Sequence, residues 1–404
     1  MKIVYLCHRT PFPPNKGERI RTFHQIEYLH RKGHDITVMA PVSDAGDLNH
    51  LQTLQERHCR QILHAPAPGR LALVKALLSG NALSVNHFYS KSLQAQFDRL
   101  LGDCNVDAVV CTSSSMAVYV LRSKAIDFSS ANRPVLVTDF MDLDSDKWRQ
   151  YQALKGFPLS LLYRREARLI AQLEKRIHQR FDTCLFISQA EIDLFLQHNP
   201  DLGRLQVIAN GLDTNAFQPA TTPKPQPGPV MLFTGVMDYL PNEDAVAWFV
   251  EEAWSRIKAK YPSALFYIAG MNPSARVKAL AKYPGVEITG FVEDIRDYYD
   301  RAHIFIAPFR LARGVQNKVL QAFACALPTI TTPMGCEGID CTPDHDVLVA
   351  ETMTDFIRHI EWLVDNPEQG RRIGHNAMQL IHDHFSWDSQ LASLEPLLQQ
   401  RSAT

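Results

Sequence analysis

The sequence predicts an α/β protein of two successive halves, each a parallel β-sheet wrapped by helices, and three observations predict it. Short runs rich in Val, Ile, Leu and Cys recur along the chain with segments of helical spacing between them, the signature of βαβ units. The alternation lapses once, over residues 216–229, where five prolines (Pro219, Pro223, Pro225, Pro227 and Pro229) fall in a short polar stretch, and then resumes. The length of 404 residues suits two domains at roughly 100–200 residues each, both large enough to bury a core.

In chain order, strands are expected over residues 2–7, 35–40, 106–111, 134–138, 183–187 and 205–209, with a helix over 19–32 that ends at Gly33. Residues 216–229 read as a linker, stiffened by proline's preference for an extended chain. Beyond it, strands are expected over 230–234, 264–269, 286–289, 304–307, 329–332 and 347–349, with helices over 243–260 and 318–326. Residues 386–400 read as one terminal helix whose Trp387, Leu391, Leu394 and Leu397 form an apolar face. Packing of that helix on either half suits the periodicity. The domains expected are thus 1–215 and 230–385, joined by 216–229.

Composition narrows the function. A net charge of -1 offers no electrostatic case for nucleic acid, and no nucleic-acid partner is expected. No apolar run reaches about 18 residues, and the N-terminus enters a strand at once, so neither a membrane span nor a secretory leader is expected and a cytoplasmic location follows. The eight cysteines form no C-x-x-C pair and read as reduced core thiols; neither a metal nor a cofactor is expected.

The segment from Arg313 to Gly338 carries the most chemistry. It places a polar, glycine-bearing loop after an apolar strand and opens a helix from that loop, an arrangement whose free N–H groups and partial positive charge suit an anion at the carboxyl end of a parallel sheet. Arg313 and Lys318 add formal charge at the same place.

Several motifs together resemble the retaining GT-B glycosyltransferases of family four. They are Asn210-Gly211-Leu212-Asp213, Phe233-Thr234-Gly235, Ile268-Ala269-Gly270, Thr289-Gly290-Phe291-Val292-Glu293-Asp294 and the 313–338 segment, together with Pro11-Phe12-Pro13-Pro14-Asn15-Lys16-Gly17, Arg21 and Gly33-His34. The order and spacing of these motifs span nearly the whole chain. Asp139 to Trp148, Met237 to Asn242 and Arg313 to Lys318 are similar to a bacterial branch associated with exopolysaccharide loci and the PEP-CTERM/exosortase system. The resemblance implies two Rossmann-like domains facing across a cleft. It also implies transfer, with retention, of a sugar from a nucleotide diphosphate donor to a glycan or lipid-linked saccharide in exopolysaccharide biosynthesis. A nucleotide-sugar epimerase of related fold and a non-catalytic nucleotide-sugar-binding scaffold are the alternatives.

The resemblance places donor binding at Gly17, Gly235, Arg313, Gly314, Val315, Gln316, Asn317, Lys318 and Gln321. Arg313 and Lys318 would neutralise the diphosphate, and Gly314 would let the backbone approach the sugar. Gln316 and Asn317 either bond sugar hydroxyls or cap the helix. Gly17 either approaches the phosphates or simply opens a helix. Most members carry glutamates where this chain has Arg313 and Gln321, so Gln321 would offer a ribose hydroxyl a neutral acceptor, about half as strong as a charged one. The family's basic pair after the first glycine of the second domain is also absent, with Met237, Asp238, Tyr239 and Asn242 there instead, so Arg313 would supply the missing charge.

On the acceptor side, many members place a histidine at the end of the strand that here precedes Asp139, Asp142, Asp144 and Asp146. Asp142 first and Asp139 second are the catalytic candidates, to stabilise positive charge on the sugar or orient the acceptor hydroxyl. A capping aspartate for the following helix is the competing reading. Residues 159–181 combine leucines with Arg164, Arg165, Arg168, Lys175, Arg176 and Arg180. Such a helix either lies on the cytoplasmic face of the inner membrane or is an ordinary surface helix with its apolar face in the core.

Overall fold

The computed structural model describes residues 1–14, 17–69, 80–154, 156–199, 204–220, 228–312 and 315–400. The chain divides into two compact units, Met1–Asn210 with Gln390–Thr404, and Gly211–Ser389. The division falls at Asn210 rather than after residue 215 because the chain around Gly211 pairs with the returning segment near Trp387. The Leu212 amide donates to the Phe385 carbonyl at 2.6 Å, and a Cβ on Gly211 would lie 2.5 Å from the Trp387 Cα. Only glycine permits that approach. Residues 221–227 of the expected linker lie outside the described residues.

The first unit contains β1 (Lys2–Leu6), α1 (Gly17–Arg31), β2 (Asp35–Val42), α2 (Ala45–His58), β3 (Gln61–Pro66), α3 (Leu83–Phe88), α4 (Lys91–Asp103), β4 (Ala108–Thr112), α5 (Ala117–Arg122), β5 (Val135–Met141), α6 (Asp144–Leu154), α7 (Leu159–Arg180), β6 (Thr183–Phe186), α8 (Gln189–Leu196) and β7 (Leu205–Val207). Its seven strands are parallel in the order β3-β2-β1-β4-β5-β6-β7. The central strands β4 and β6 are buried at every residue, as a sheet covered on both faces requires. β3 has no counterpart among the expected strands. It is an edge strand whose His64 and Pro66 interrupt the apolar run, and an edge position tolerates both.

The second unit continues with β8 (Val230–Thr234), α9 (Leu240–Phe249), a π-helical turn at Val250–Trp254, α10 (Ser255–Lys260), β9 (Leu265–Ala269), α11 (Ala275–Ala279), β10 (Val286–Gly290), α12 (Arg296–Tyr299), β11 (Ile304–Ala307), α13 (Asn317–Ala324), β12 (Thr329–Thr331), β13 (Leu348–Val349), α14 (Met353–Asp365) and α15 (Pro367–His384), and the chain passes back to the first unit within α16 (Trp387–Leu391). Its parallel order is β10-β9-β8-β11-β12-β13. In both sheets the order reverses beside the first strand, between β1 and β4 and between β8 and β11, and the crevice above such a reversal is where open α/β sheets take ligands.

The terminal helix differs from the expectation. Instead of one helix over 386–400 there are two, α16 and α17 (Leu394–Gln399), with a turn between them. Pro396 is the cause, because its ring would clash with the Ala392 carbonyl in a continuous helix. α17 belongs to the first unit, where Glu395 bonds His34 Nε2 at 3.0 Å.

Candidate functional site

The first unit holds an open cavity of about 500 Å³ over the carboxyl ends of β1, β4, β5 and β6. His8 follows β1, Ser113 and Ser115 follow β4, and Met141 and Asp142 end β5; Lys147, Trp148 and Tyr151 of α6 form one wall. Ser113 and Met141 both adopt left-handed backbone (φ 73° and 64°) although neither is glycine. Strain of this kind is tolerated where packing over-determines it, and at Ser113 and Met141 it falls at two adjacent strand ends that line the cavity.

Asp142 lines this cavity, is exposed, and has no hydrogen-bond partner among the described residues. It does not cap α6. That work falls to two carboxylates from other helices, with Glu191 accepting the Leu143 amide at 2.7 Å and Glu174 accepting the Ser145 amide at 2.9 Å. Asp139, by contrast, is not brought to the cavity. It is fully buried, receives Arg21 Nε and Nη2 at 2.7 and 3.1 Å, Gln25 Nε2 at 2.6 Å and the Met141 amide at 3.2 Å, and so has no lone pair to offer a substrate. The expectation of a catalytic role for it is corrected: Asp139 anchors α1 to β5. Arg21 also donates through Nη1 to the Ile208 carbonyl at 2.7 Å and Asn210 Oδ1 at 3.1 Å, which explains the asparagine before Gly211.

His8 was not singled out from sequence, although a polar residue just past a buried parallel strand is the signal that finds it. Its amide donates to Thr112 Oγ1, its Nδ1 lies 3.0 Å from the same oxygen, and burial lowers its pKa to about 4, so it is a neutral imidazole at physiological pH. Glu174 is shifted the other way, to about 8, chiefly by burial. An acid with a raised folded pKa holds its proton where the unfolded chain has lost it, so stability falls as pH rises from about 4.5 to 8. Glu174→Gln is therefore expected to flatten that decline, gaining a few kcal/mol over the wild type at pH 8 but little at pH 5, as read from denaturant midpoints across the range.

In the second unit, the turn after β8 and the start of α13 meet. Lys318 Nζ donates to Asn242 Oδ1 and sits 4.9 and 5.1 Å from the ring centroids of Phe233 and Phe309. A Cβ on Gly235 would lie 2.7 Å from Asn242 Nδ2 and 3.1 Å from Lys318 Nζ, so this glycine admits the ammonium to the turn. Burial lowers the Lys318 pKa to about 8, which leaves it mostly charged at neutral pH. Asn242, noted from sequence only as a replacement for the absent basic pair, is thus what orients the cation.

The remaining donor residues are placed unevenly. Arg313 and Gly314 lie outside the described residues. Val315 is exposed and packs on the turn at Gly338. Gln316 occupies the N-cap position of α13 without a side-chain cap bond, which leaves Asn317 as an exposed first-turn residue and not a cap. Gly17 opens α1. Gln321 departs from expectation, since its Oε1 accepts from the Tyr299 hydroxyl at 3.1 Å, itself 2.9 Å from Thr234 Oγ1. The acceptor expected for a ribose hydroxyl is therefore engaged, and the amide NH₂ is what Gln321 presents. Among the described residues no group of three or more His, Cys, Asp or Glu is arranged to hold a metal, and no helix is long and apolar enough to cross a membrane.

Two Rossmann-like α/β domains in tandem, each with its polar groups gathered at the strand-order reversal, define the GT-B class. Structural comparison agrees. The sucrose-phosphate synthase of Thermosynechococcus elongatus superposes with a TM-score of 0.60 at 15% identity, covering 99% of each chain. HepE of Anabaena in complex with UDP gives 0.59 at 15%, covering 98% of this chain and 99% of that one. In sequence, residues 16–211 match the glycosyl transferase 4-like domain and residues 228–366 match glycosyl transferases group 1. The chain belongs to the group 1 glycosyltransferases. It is also 22% identical to the "Uncharacterized 44.6 kDa protein in cps region" of Klebsiella pneumoniae over 97% of this chain and 98% of that protein.

Proposed function

We propose that the protein transfers a hexosyl group from a nucleotide diphosphate sugar, held by the second unit, to a saccharide acceptor received by the cavity of the first, in polysaccharide biosynthesis. The observation that carries this reading is the Lys318 ammonium held at the Gly235 turn beside the first turn of α13. A departing nucleoside diphosphate needs its charge met as the glycosidic bond breaks, and a desolvated cation beside free helix N–H groups meets it without a metal. Arg313, just ahead of α13 in the sequence, would add a second cation. The UDP complex of HepE and the cps-region relative support a nucleotide donor and a polysaccharide product. Retention of configuration and the exosortase-associated branch belong to the same reading and rest on the motif resemblance, and work at the cytoplasmic face of a membrane rests on the leucines and cations of residues 159–181.

Asp142 is assigned the acceptor side, to orient the attacking hydroxyl or stabilise positive charge on the sugar. Asp142→Asn is expected to lower the turnover number roughly 10²–10³-fold with donor KM within about threefold, because the charge acts on the reacting centre and not on donor binding. Equal activity of the two proteins would remove Asp142 from the mechanism. The function itself is tested by a thermal-shift screen with UDP, GDP, ADP and their sugars, followed by nucleotide release with and without a saccharide. A specific shift and acceptor-stimulated release are expected. A shift without release identifies a binding scaffold, and epimerised donor without acceptor identifies an epimerase.

A further inference from the structure

A second, smaller pocket opens in the first unit beside the cavity already described. It holds about 180 Å³ over the carboxyl ends of β1, β2 and β3, whereas the larger one lies over β1, β4, β5 and β6. The two adjoin along one sheet edge, because β1 stands between β2 and β4 and because His8, Arg9 and Phe88 line both. Pockets for drug-sized ligands run to roughly 300–1,000 Å³, so the smaller one suits a single sugar unit and not a nucleotide. A saccharide whose end unit fills the larger cavity has room here for the unit next to it, with the Phe88 ring between the two.

The cations of the smaller pocket are incompletely paired. Arg19, from the first turn of α1, makes no ion pair among the described residues, and its Nε is buried without a hydrogen-bond partner. A buried donor left unpaired is costly, and such a group marks a place that a ligand or an ordered water completes. Arg9 is half exposed, and its ion pair with Glu18 is stretched to 3.8 Å. Asp47, the acid in the lining, is engaged on both oxygens: Oδ1 accepts from Thr10 Oγ1 and Oδ2 from the Ser43 amide, each at 3.0 Å. His8 is neutral and adds a hydrogen-bonding group without charge. One unpaired guanidinium and one loosely held, with the Asp47 and Glu18 carboxylates close by, match a monoanion better than a dianionic phosphate. A guanidinium fork also pairs with a carboxylate through two parallel bonds.

We propose that the smaller pocket is a subsite for a carboxylate-bearing sugar, and that the acceptor is an acidic oligosaccharide whose uronate unit sits against Arg19 and Arg9 while its neighbour is glycosylated in the larger cavity. The uronate subsite stands on the pocket alone, whereas its place in an acceptor rests on the glycosyl-transfer reading, and the experiment separates the two. Binding to the full chain without donor is followed by saturation-transfer NMR titration. The probes are methyl glucuronide and methyl galacturonide, their neutral parents methyl glucoside and methyl galactoside, and glucose 6-phosphate.

The uronates are expected to bind at least about tenfold more tightly than their neutral parents, and less so at high salt. Arg19→Met is expected to weaken uronate binding roughly tenfold or more, the scale of one charge-assisted hydrogen bond lost, and to bring the preference close to one. Arg9→Gln is expected to act in the same direction but less, and unchanged melting temperatures keep folding out of the result. Equal binding of uronates and neutral sugars by the wild type, tighter binding of the phosphate, or an undiminished preference in both variants would overturn the subsite. Nucleotide release is then measured with oligosaccharides that carry or lack a uronate next to the accepting end. A kcat/KM at least about tenfold higher for the acidic acceptor, with that ratio falling toward one in Arg19→Met, supports the acceptor assignment. A wild-type ratio near one, or an Arg19→Met variant that raises only the donor KM, overturns it. A wild type that binds uronates but releases nucleotide with neither acceptor defeats the glycosyl-transfer reading and the acceptor with it, leaving the subsite in place.

Discussion

Lys318→Met is expected to lower kcat/KM for the nucleotide sugar by roughly 10²–10³-fold while the protein remains folded, the range seen when one preorganised group that meets developing negative charge is removed. Methionine matches lysine in length and packs well against aromatic rings, so the space between Phe233 and Phe309 stays filled and only the charge is lost. Lys318→Arg is expected to recover little, because a planar guanidinium is too broad for a turn in which even a Cβ on Gly235 would come within 3.1 Å of the ammonium. The same residue sets a pH dependence. With its pKa lowered to about 8, the free enzyme loses the cation as pH rises through that value, and kcat/KM should fall along a limb centred near it. Wild-type kcat/KM in Lys318→Met would take the diphosphate away from this lysine and leave Arg313 as its principal counter-ion.

The second large effect concerns stability. Arg21→Met removes the only ion-pair partner of Asp139 among the described residues while leaving a fully buried carboxylate with two weaker donors, and is expected to cost about 3–5 kcal/mol. For a unit of this size that lowers the melting temperature by roughly 10 °C or more. Arg21→Met with Asp139→Leu removes both charges together, and is expected to recover most of the loss, since an apolar pair avoids the desolvation that the ion pair must offset. A double variant no more stable than the single one would show that the bonds from Arg21 to Ile208 and Asn210, and not the pairing with Asp139, hold the end of the sheet.

The two parallel sheets were legible because a strand buried on both faces must be apolar almost without interruption, as β4, β6 and β8 are. β3 was not, because an edge strand bears no such constraint. The break in the terminal helix was written in Pro396 but masked by an apolar spacing that continues across it. Gly235 and Lys318 were legible as members of one site through their motifs, whereas the reason they belong together, an ammonium held by Asn242 between two rings, joins residues far apart in the chain.

Spacing could rank Asp142 and Asp139 but could not tell them apart. The two lie three residues apart at one strand end, and a backbone irregularity between Asp139 and Met141 sends one inward to Arg21 and the other to the cavity. His8 gained its character in the same way, as a neutral imidazole made by burial beside Thr112. The sequence by itself determined the strand and helix periodicities, the two-sheet architecture and the family, because these rest on local pattern and motif order. Tertiary structure alone decided which charged groups are spent on holding the sheets together and which remain free for chemistry. A carboxylate or ammonium is defined by its partners and its exposure to water, and those are set by residues that only folding brings near.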